Sequence, residues 1–475
     1  MSTRKRTALI IIGPVIFALL VLLFSDVLTM RGAQAIGLLL WMIFWWVTRP
    51  VSIAITALLP LAVNALFTII PTQLAAAQYA SDCVILLFGA GLLTLPWGKC
   101  GLDRRVALKA LSIIGPSMRS QVVVWFLASV VISTVIPNIV CCALFTKLAL
   151  AMLNAVGYDD ISKCEAATPI LLAICWGTVI GSVATPLGGA QNIILVNIFE
   201  EYTGQELMFV DWAVAMFPYF IVGTLVVLAG MLLIPSKIKR LEGTREYFAG
   251  RYSELGTMKR DEKICAVLFV IAVVVSFARP LFAKILPSLS PAFCFLILGF
   301  LGFFITNSEH SPMLTWDVVH KGTMWDLLCL VGGGMALGMV VSESGITGIA
   351  LDMLMDLSID GGLATIVVLV IGARILAECS DSTTAAAVMV PIAFEFATKL
   401  GLNPIPYIFI VAMGYSGEFV LPLGVRAITV ASGLDPKKMM KYGLPFTVVT
   451  SVIVIFFGYF LMQVWPPFST FFTMS

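Results

Sequence analysis

The chain has 475 residues, 60% of them hydrophobic and only 12% charged, with a mean hydropathy of +1.02. Soluble domains carry about 25% charged residues, so composition excludes a soluble globular protein and indicates an all-α polytopic membrane protein. The net charge of +2 argues for neither nucleic acid nor an acidic partner, and ten cysteines without a Cys-x-x-Cys, with two histidines confined to one loop, argue against a cysteine/histidine metal site.

The basic N-terminus, Met1 to Arg6, leads into the apolar run Ala8–Phe24. No Ala-x-Ala cleavage site follows, so the run reads as a retained first span rather than a signal sequence. Arg4, Lys5 and Arg6 place the N-terminus in the cytoplasm. Spans are expected near residues 8–25, 33–48 and 51–70, followed by an apolar segment whose Gly89 and Gly91 suit close helix contact. Gly98–Gln121 carries Lys99, Arg104, Arg105, Lys109 and Arg119 and reads as an amphipathic helix on the cytoplasmic surface.

The next apolar run rises from Val122 and breaks at Ser133-Thr134-Val135-Ile136-Pro137-Asn138. Proline beside asparagine at membrane depth predicts a re-entrant hairpin tip or a broken helix, tolerated only where protein or a cavity surrounds it. A second break, Ala184 to Asn192, contains Pro186-Leu187-Gly188-Gly189, and a span follows over residues 210–235. Lys237 to Lys263 is the one long hydrophilic stretch, rich in Lys and Arg, and so cytoplasmic. It divides the chain into a first half (1–235), a linker (236–262) and a second half (263–475). Apolar runs of about 20 residues continue to Val464, giving room for about 11 spans, with the C-terminus outside.

The densest polar run within the apolar sequence is Arg374-Ile-Leu-Ala-Glu378-Cys-Ser380-Asp381-Ser382-Thr383-Thr384. Charges at that depth are costly unless paired or facing water, which makes such a cluster a functional candidate. A helix N-cap at Asp381 or Ser382 accounts for one of these residues and not for the cluster.

The second half repeats the first. Leu330-Val-Gly332-Gly333-Gly334 answers Leu87-Phe-Gly89-Ala-Gly91; Gly89 precedes Pro137 by 48 positions and Gly332 precedes Asp381 by 49. A Pro-Leu-Gly follows each break, at Pro186 and at Pro422. Taken singly, the glycines suit helix packing, the prolines suit kinks, and Asn138 suits a cap; their recurrence in register does not. Gly98–Gln121 is basic, whereas its counterpart Val341–Gly362 holds Glu343, Asp352, Asp356 and Asp360 with no Lys or Arg. Opposite charge implies opposite orientation, and hence an inverted-topology repeat with two re-entrant hairpins and broken helices. This is an architecture of secondary transporters that binds its cargo at the midplane. The predicted site is the meeting point of four breaks: Pro137–Asn138, Gly188–Asn192, Asp381–Thr383 and Gly424–Ala427. Helix N-termini there offer N–H groups and positive dipole ends to an anion.

At these residues the chain resembles the divalent anion:sodium symporter family, over roughly Ser81 to Pro466. That family has a Ser-Asn-Thr hairpin tip and a later Gly/Ala-Thr-Pro-Pro-Asn turn in each half. Here the tips read Pro137-Asn138-Ile139 and Asp381-Ser382-Thr383, and the turns read Gly188-Gly189-Ala190-Gln191-Asn192 and Gly424-Val425-Arg426. The resemblance implies a multi-pass inner-membrane homodimer, surrounded by lipid, with a scaffold and a transport domain that moves like an elevator. It implies transport of a small di- or tricarboxylate or similar divalent anion, coupled to Na+. Carried over residue by residue, the sodium site is Ser133, Asn138 and Gly188. The substrate positions are Asn138, Gly189, Asp381, Ser382 and Thr383, to which the charge of Arg426 adds a candidate counter-ion. At the second cation site the pattern departs: the family's hydroxyl is Ala377, its asparagine is Ser382, and the turn carries Arg426. A guanidinium is permanently charged and binds carboxylates bidentately. Arg426 therefore suits either a fixed cation for a sodium-independent anion exchanger or a partner for Asp381 or Glu418, and some pairing among Asp381, Glu418, Arg374 and Arg426 is expected in both cases.

Rival classes are weaker. Gly414-Tyr415-Ser416-Gly417 has the look of an intramembrane serine protease, but such a serine needs a base, and both histidines, His310 and His320, lie in the 307–321 loop. A channel needs subunits around one pore, which a two-fold internal repeat does not supply. Proton coupling through Asp381, Glu378 or Glu418 is a further alternative to sodium. Hydroxyls, an amide and one arginine suit succinate, malate, citrate or sulfate equally.

Overall fold

With apolar runs bounded by Pro, Gly and hydroxyl residues, and no water at membrane depth to satisfy the backbone, helices are the only economical local structure. A computed structural model describes residues 3–26, 28–158, 161, 164–236, 238–345 and 360–470, and among these the only strand-like pairings are isolated bridges at Ser117–Arg240 and Thr306–Pro312. By length and composition 6 helices can cross a bilayer, among them Thr3–Phe24, Asn138–Ala155, Phe209–Leu233 and Pro436–Val464. Shorter apolar helices such as Met118–Ser133, Pro291–Phe304 and Pro404–Tyr415 accompany them.

The segments expected to span are helical, with shifted ends. Residues 33–48 become Met30–Thr48, with Thr29 Oγ1 accepting from Gly32 N as an N-cap. The run 51–70 is two helices, Ile53–Ala57 and Leu59–Phe67, because Pro60 cannot donate within a continuous helix. The basic segment 98–121 is likewise not one helix. Asp82–Cys100 ends at Gly101, whose φ of +87° closes it, and Leu102–Leu111 begins there, with Met118–Ser133 opening after a loop. In the linker the helix Thr244–Glu254 packs Phe248 inward, and Arg105 ties the region down: Nε donates to Glu262 Oε1 at 3.0 Å and Nη1 to Gly256 O at 2.9 Å. Asp352 and Asp356 of the acidic counterpart lie outside the described residues.

The repeat is visible as a repeated order of elements. Asp82–Cys100 corresponds to Trp325–Glu343. The first hairpin, Met118–Ser133 and Asn138–Ala155, corresponds to Leu363–Cys379 and Ser382–Lys399. The first broken helix, Ala167–Gly181 and Ala190–Thr203, corresponds to Pro404–Tyr415 and Arg426–Ala431. In each half the first hairpin arm packs on the first piece of its own broken helix. The second pieces cross over: Ala190–Thr203 lies against the second-tip helix Ser382–Lys399, and Arg426–Ala431 against the first-tip helix Asn138–Ala155. Every residue of Ala167–Gly181 and of Pro404–Tyr415 is buried, as helices that are apolar all round should be. These two rods form the centre of the packed body, and the breaks at their ends face the same space.

Glycines set the close approaches. A Cβ on Gly89 would sit 2.6 Å from Leu296 N, and one on Gly333 2.1 Å from Ala57 O, so each half packs its small-residue helix directly on a neighbouring backbone.

Candidate functional site

Both tips and both unwound turns meet at one cavity of about 510 Å³. Its lining includes Pro137, Asn138 and Ile139 from the first tip, Ala190 and Gln191 from the first break, Asp381, Ser382 and Thr383 from the second tip, and Glu418, Gly424, Val425 and Ala427 from the second break. Leu87 and Leu330, which hold equivalent places in the two repeats, line it together. The far wall comes from Arg49, Ile53 and the bend around Thr323, Met324, Trp325 and Asp326, where two helices meet at 64°.

Pro137 ends the loop of the first tip in an extended conformation, and the helix Asn138–Ala155 starts at the cavity. Asn138 is 8% exposed; its Oδ1 accepts from Ile139 N at 2.8 Å, and its Nδ2 has no partner among the described residues. The first break approaches this tip through the Thr185 hydroxyl, which donates to Thr134 O. Asn192 braces the break, with Nδ2 donating to Ser182 O at 2.6 Å and Thr185 O at 2.9 Å, while its Oδ1 is buried without a partner among the described residues.

The second tip is built differently. Ser380 and Asp381 interrupt the hairpin, and Asp381 caps the helix Ser382–Lys399 with Oδ1 accepting from Thr384 N at 2.8 Å. Glu418 Oε1 accepts from Ser382 N at 2.9 Å. Two of the donors that a bare helix N-terminus would present are thus taken by carboxylates of the protein. Ser382 and Thr383, each 7% exposed, border the cavity, with the Ser382 hydroxyl beside the Glu418 carboxylate.

Of the other expected site residues, Arg426 does not line the cavity. It is 0% exposed and lies behind the turn, ion-paired to Glu378 and, at 2.6 Å, to Glu418, with further bonds to Leu423 O and Ala377 O. Arg426 thus belongs to a buried carboxylate network rather than to the cavity wall. Glu378 collects the backbone N–H groups of Phe419, Val420 and Leu421 and the Thr447 hydroxyl as well. Arg374, one turn earlier, is also buried, and its three guanidinium nitrogens have no hydrogen-bond partner among the described residues. Its guanidinium presses on Gly417, where a Cβ would lie 1.6 Å from Nη1.

Ser133, Gly188 and Gly189 also stand back from the cavity wall. Ser133 Oγ donates to Thr178 O at 2.9 Å, and Gly188 N donates to Thr185 O at 3.2 Å. Asn138 alone of the expected sodium ligands reaches the cavity. Ser416 is buried at the start of the second unwound turn with no partner for its hydroxyl among the described residues, and no histidine borders the cavity.

Gln191, read in the sequence only as part of the first turn, and Glu418, read there only as an ion-pair partner or proton carrier, both line the cavity. Gln191 sits inside the break at Gly188–Asn192 and Glu418 six residues before the one at Gly424–Ala427, each a polar side chain a few residues from a Pro-Leu-Gly.

Comparison with known proteins finds transporters. The sodium-dependent dicarboxylate transporter SdcS of Staphylococcus saprophyticus is 28% identical over 473 residues, covering 95% of this chain and 91% of its own. SdcS of Staphylococcus aureus (strain MRSA252) is 26% identical over 480 residues, covering 96% and 91%. Among solved structures, the crystal structure of the Alcanivorax borkumensis YdaH transporter aligns with a TM-score of 0.49 at 12% identity, over 85% of this chain and 90% of that one. The family model described as citrate transporter, CitMHS, matches residues 43–414 and 296–475. The chain therefore belongs to this citrate transporter family, in keeping with the divalent anion:sodium symporter motifs in its sequence.

Proposed function

We propose that the protein is a secondary active transporter that carries small di- or tricarboxylates across the cell membrane together with sodium. The observation that carries this reading is the convergence of both hairpin tips and both unwound turns on one cavity of about 510 Å³, large enough for a four- to six-carbon acid. Asn138, Gln191, Ser382 and Thr383 are its polar contacts for the anion, aided by the N-terminal end of the first-tip helix. That the SdcS relatives are sodium-dependent dicarboxylate transporters supports both the dicarboxylate and the sodium. Ser133, Asn138 and Gly188 remain the proposed sodium position, with oxygen ligands of the kind a hard cation takes. Gly189 and Asp381 shape the site around the anion, and Arg426 acts from behind through Glu418.

Arg6 Nε donates to Pro50 O at 2.9 Å, so the N-terminus and Arg49 share one face, and Arg49 borders the cavity. With the basic N-terminus in the cytoplasm, this arrangement corresponds to a cavity that faces inward. The C-terminus then lies outside. Tips and broken helices would travel as one transport domain past a scaffold made of residues such as Arg49, Ile53 and Trp325, in a homodimer.

The test is uptake of radiolabelled succinate into proteoliposomes, with and without an inward sodium gradient and with and without succinate inside. Sodium-driven uptake into empty vesicles is the expected outcome. Uptake that requires preloaded anion and ignores sodium would replace the symporter by an exchanger. Absence of succinate and citrate uptake in every arm would remove the carboxylate reading.

A further inference from the structure

We propose that Arg49 binds the distal carboxylate of the cargo at the cytoplasmic mouth of the cavity, a contact that the anion makes while the cavity faces inward and gives up when the tips carry it outward. This rests on the reading of the cavity as a dicarboxylate site and adds a specificity residue to its opposite wall.

A dianion needs more than the two tips offer. The first tip and first break supply the amides of Asn138 and Gln191. At the second tip Thr384 N is bonded to Asp381 and Ser382 N to Glu418, so two backbone donors are occupied and carboxylates stand where a second anionic group would arrive. Arg426 is engaged by Glu378 and Glu418 behind the turn. The charged residues that line the cavity are Arg49, Asp326, Asp381 and Glu418, so Arg49 is the single cation among the described lining residues. Its planar guanidinium can take both oxygens of a carboxylate.

The Arg49 side chain is free for that role. It is exposed, and it makes no ion pair or hydrogen bond among the described residues. Its backbone, by contrast, is fixed. Arg49 N donates to Trp45 O at 2.8 Å, closing the helix Met30–Thr48, and the neighbouring Pro50 O accepts from Arg6 Nε at 2.9 Å. Ser52 Oγ then caps Ile53–Ala57 by accepting from Ile55 N at 3.3 Å. Arg49 itself sits at φ +48° and ψ +51°, a left-handed conformation for which glycine or asparagine is the usual choice at a helix end. Strained backbone of this kind clusters at ligand sites. A helix cap or a surface anchor accounts for a positive charge at this end, and not for its place in the cavity wall.

The position also gives the contact a direction. The helices on either side of Arg49 pack on Thr3–Phe24 and Trp325–Glu343. When the tips travel, Arg49 stays with these helices, so the bond to the anion belongs to one end state only. A ligand shifts an equilibrium by its difference in affinity for the two states, and this contact favours the loaded, inward-facing one.

The test compares wild type with Arg49→Gln and Arg49→Lys in inside-out and right-side-out membrane vesicles, with succinate as cargo and equal NaCl on both sides. The KM at the cytoplasmic face should rise about tenfold in Arg49→Gln and be partly restored in Arg49→Lys, while the KM at the outer face stays within about twofold of wild type. Succinamate, in which an amide replaces one carboxylate, supplies the chemical counterpart. As a competitor at the cytoplasmic face it should be weaker than succinate against wild type, and that gap should narrow in Arg49→Gln. Where Arg49→Gln does not fold, Arg49→Gly, which suits the left-handed turn, takes its place. An unchanged KM at the cytoplasmic face overturns the proposal, and a lowered melting temperature alongside it would make Arg49 a helix cap. An equal rise at both faces overturns the one-sided contact. Failure of the wild type to carry any dicarboxylate from either face would remove the carboxylate reading, and the assignment of Arg49 with it.

Discussion

Arg426 and Glu378 are bound to each other across the second break, joining the helix that follows the unwound turn to the arm that leads into the second tip. Around this pair the turn is nearly sealed: Glu418 takes the other side of the guanidinium, and Glu378 also holds Phe419 N at 2.7 Å. A broken helix leaves backbone donors without partners, and here one carboxylate collects them.

Glu378→Ala should therefore be among the most damaging single changes in the chain. It leaves Arg426 buried with one acid instead of two and strands the N–H groups of Phe419, Val420 and Leu421. Removing one partner of a buried ion pair costs about 3–5 kcal/mol. The expected result is loss of a monodisperse peak on size-exclusion chromatography, or a melting temperature many degrees lower. Arg426→Lys should also destabilise, because an ammonium cannot serve both carboxylates with a planar fork. A Glu378→Ala protein with wild-type melting would show that the network does not hold the turn.

The first break offers a steric test. At Gly188 a Cβ would sit 2.3 Å from Ser182 O, a backbone atom that cannot give way without moving the turn. Gly188→Ala should thus displace the segment that carries Ala190 and Gln191 to the cavity, and overpacking of this kind costs about 1–3 kcal/mol or more. At Gly91 nothing lies within 4 Å, so Gly91→Ala is the matched control. Uptake should be lost or strongly reduced in the first and retained in the second; equal uptake in both would mean that the turn tolerates the shift.

Much of this site could be read from the sequence because its chemistry is conspicuous in an apolar chain. Pro137 with Asn138, Pro186 with Gly188, and the run from Arg374 to Thr384 each break a hydrophobic stretch, and only a protein-lined space tolerates that. The pairing Leu87/Leu330 was legible as part of the repeat. What sequence could not supply was direction. Arg426 has the right charge for a substrate contact, but its side chain points to the back of the turn, where Glu378 offers a partner 48 residues away in the chain. The opposite wall was also hidden, since Ile53, Met324 and Trp325 look like any interfacial residues until the helices are packed.

Asn138 is the substrate contact whose removal should be cleanest. Its Nδ2 has no partner among the described residues, so truncation leaves the fold intact while removing a donor to a carboxylate. Hydrogen bonds to charged groups contribute about 1.5–3 kcal/mol, so Asn138→Ala should raise KM for the anion by about 10- to 150-fold. The melting temperature without ligand should move little. A KM within twofold of wild type would place the anion elsewhere in the cavity.

The pair formed by Arg279 and Glu206 tests the proposed movement. Arg279 follows the helix Arg260–Phe277, and Glu206 lies in the loop after Ala190–Thr203, the second piece of the first broken helix. Their contact is bidentate, at 2.7 and 2.9 Å, and the arginine side chain is 3% exposed against 29% for the glutamate. If the broken helices travel with the tips while Arg260–Phe277 stays with the scaffold, this pair forms in one end state and must open in each cycle. Glu206→Gln keeps the shape and removes the charge. Weakening a partly exposed pair by about 1.4 kcal/mol shifts the balance between end states about tenfold. The expected signature is a changed maximal uptake rate with an unchanged KM, since no cavity residue is altered. An unchanged rate together with a lowered melting temperature would make the pair a static brace, and both elements would then belong to the same moving body.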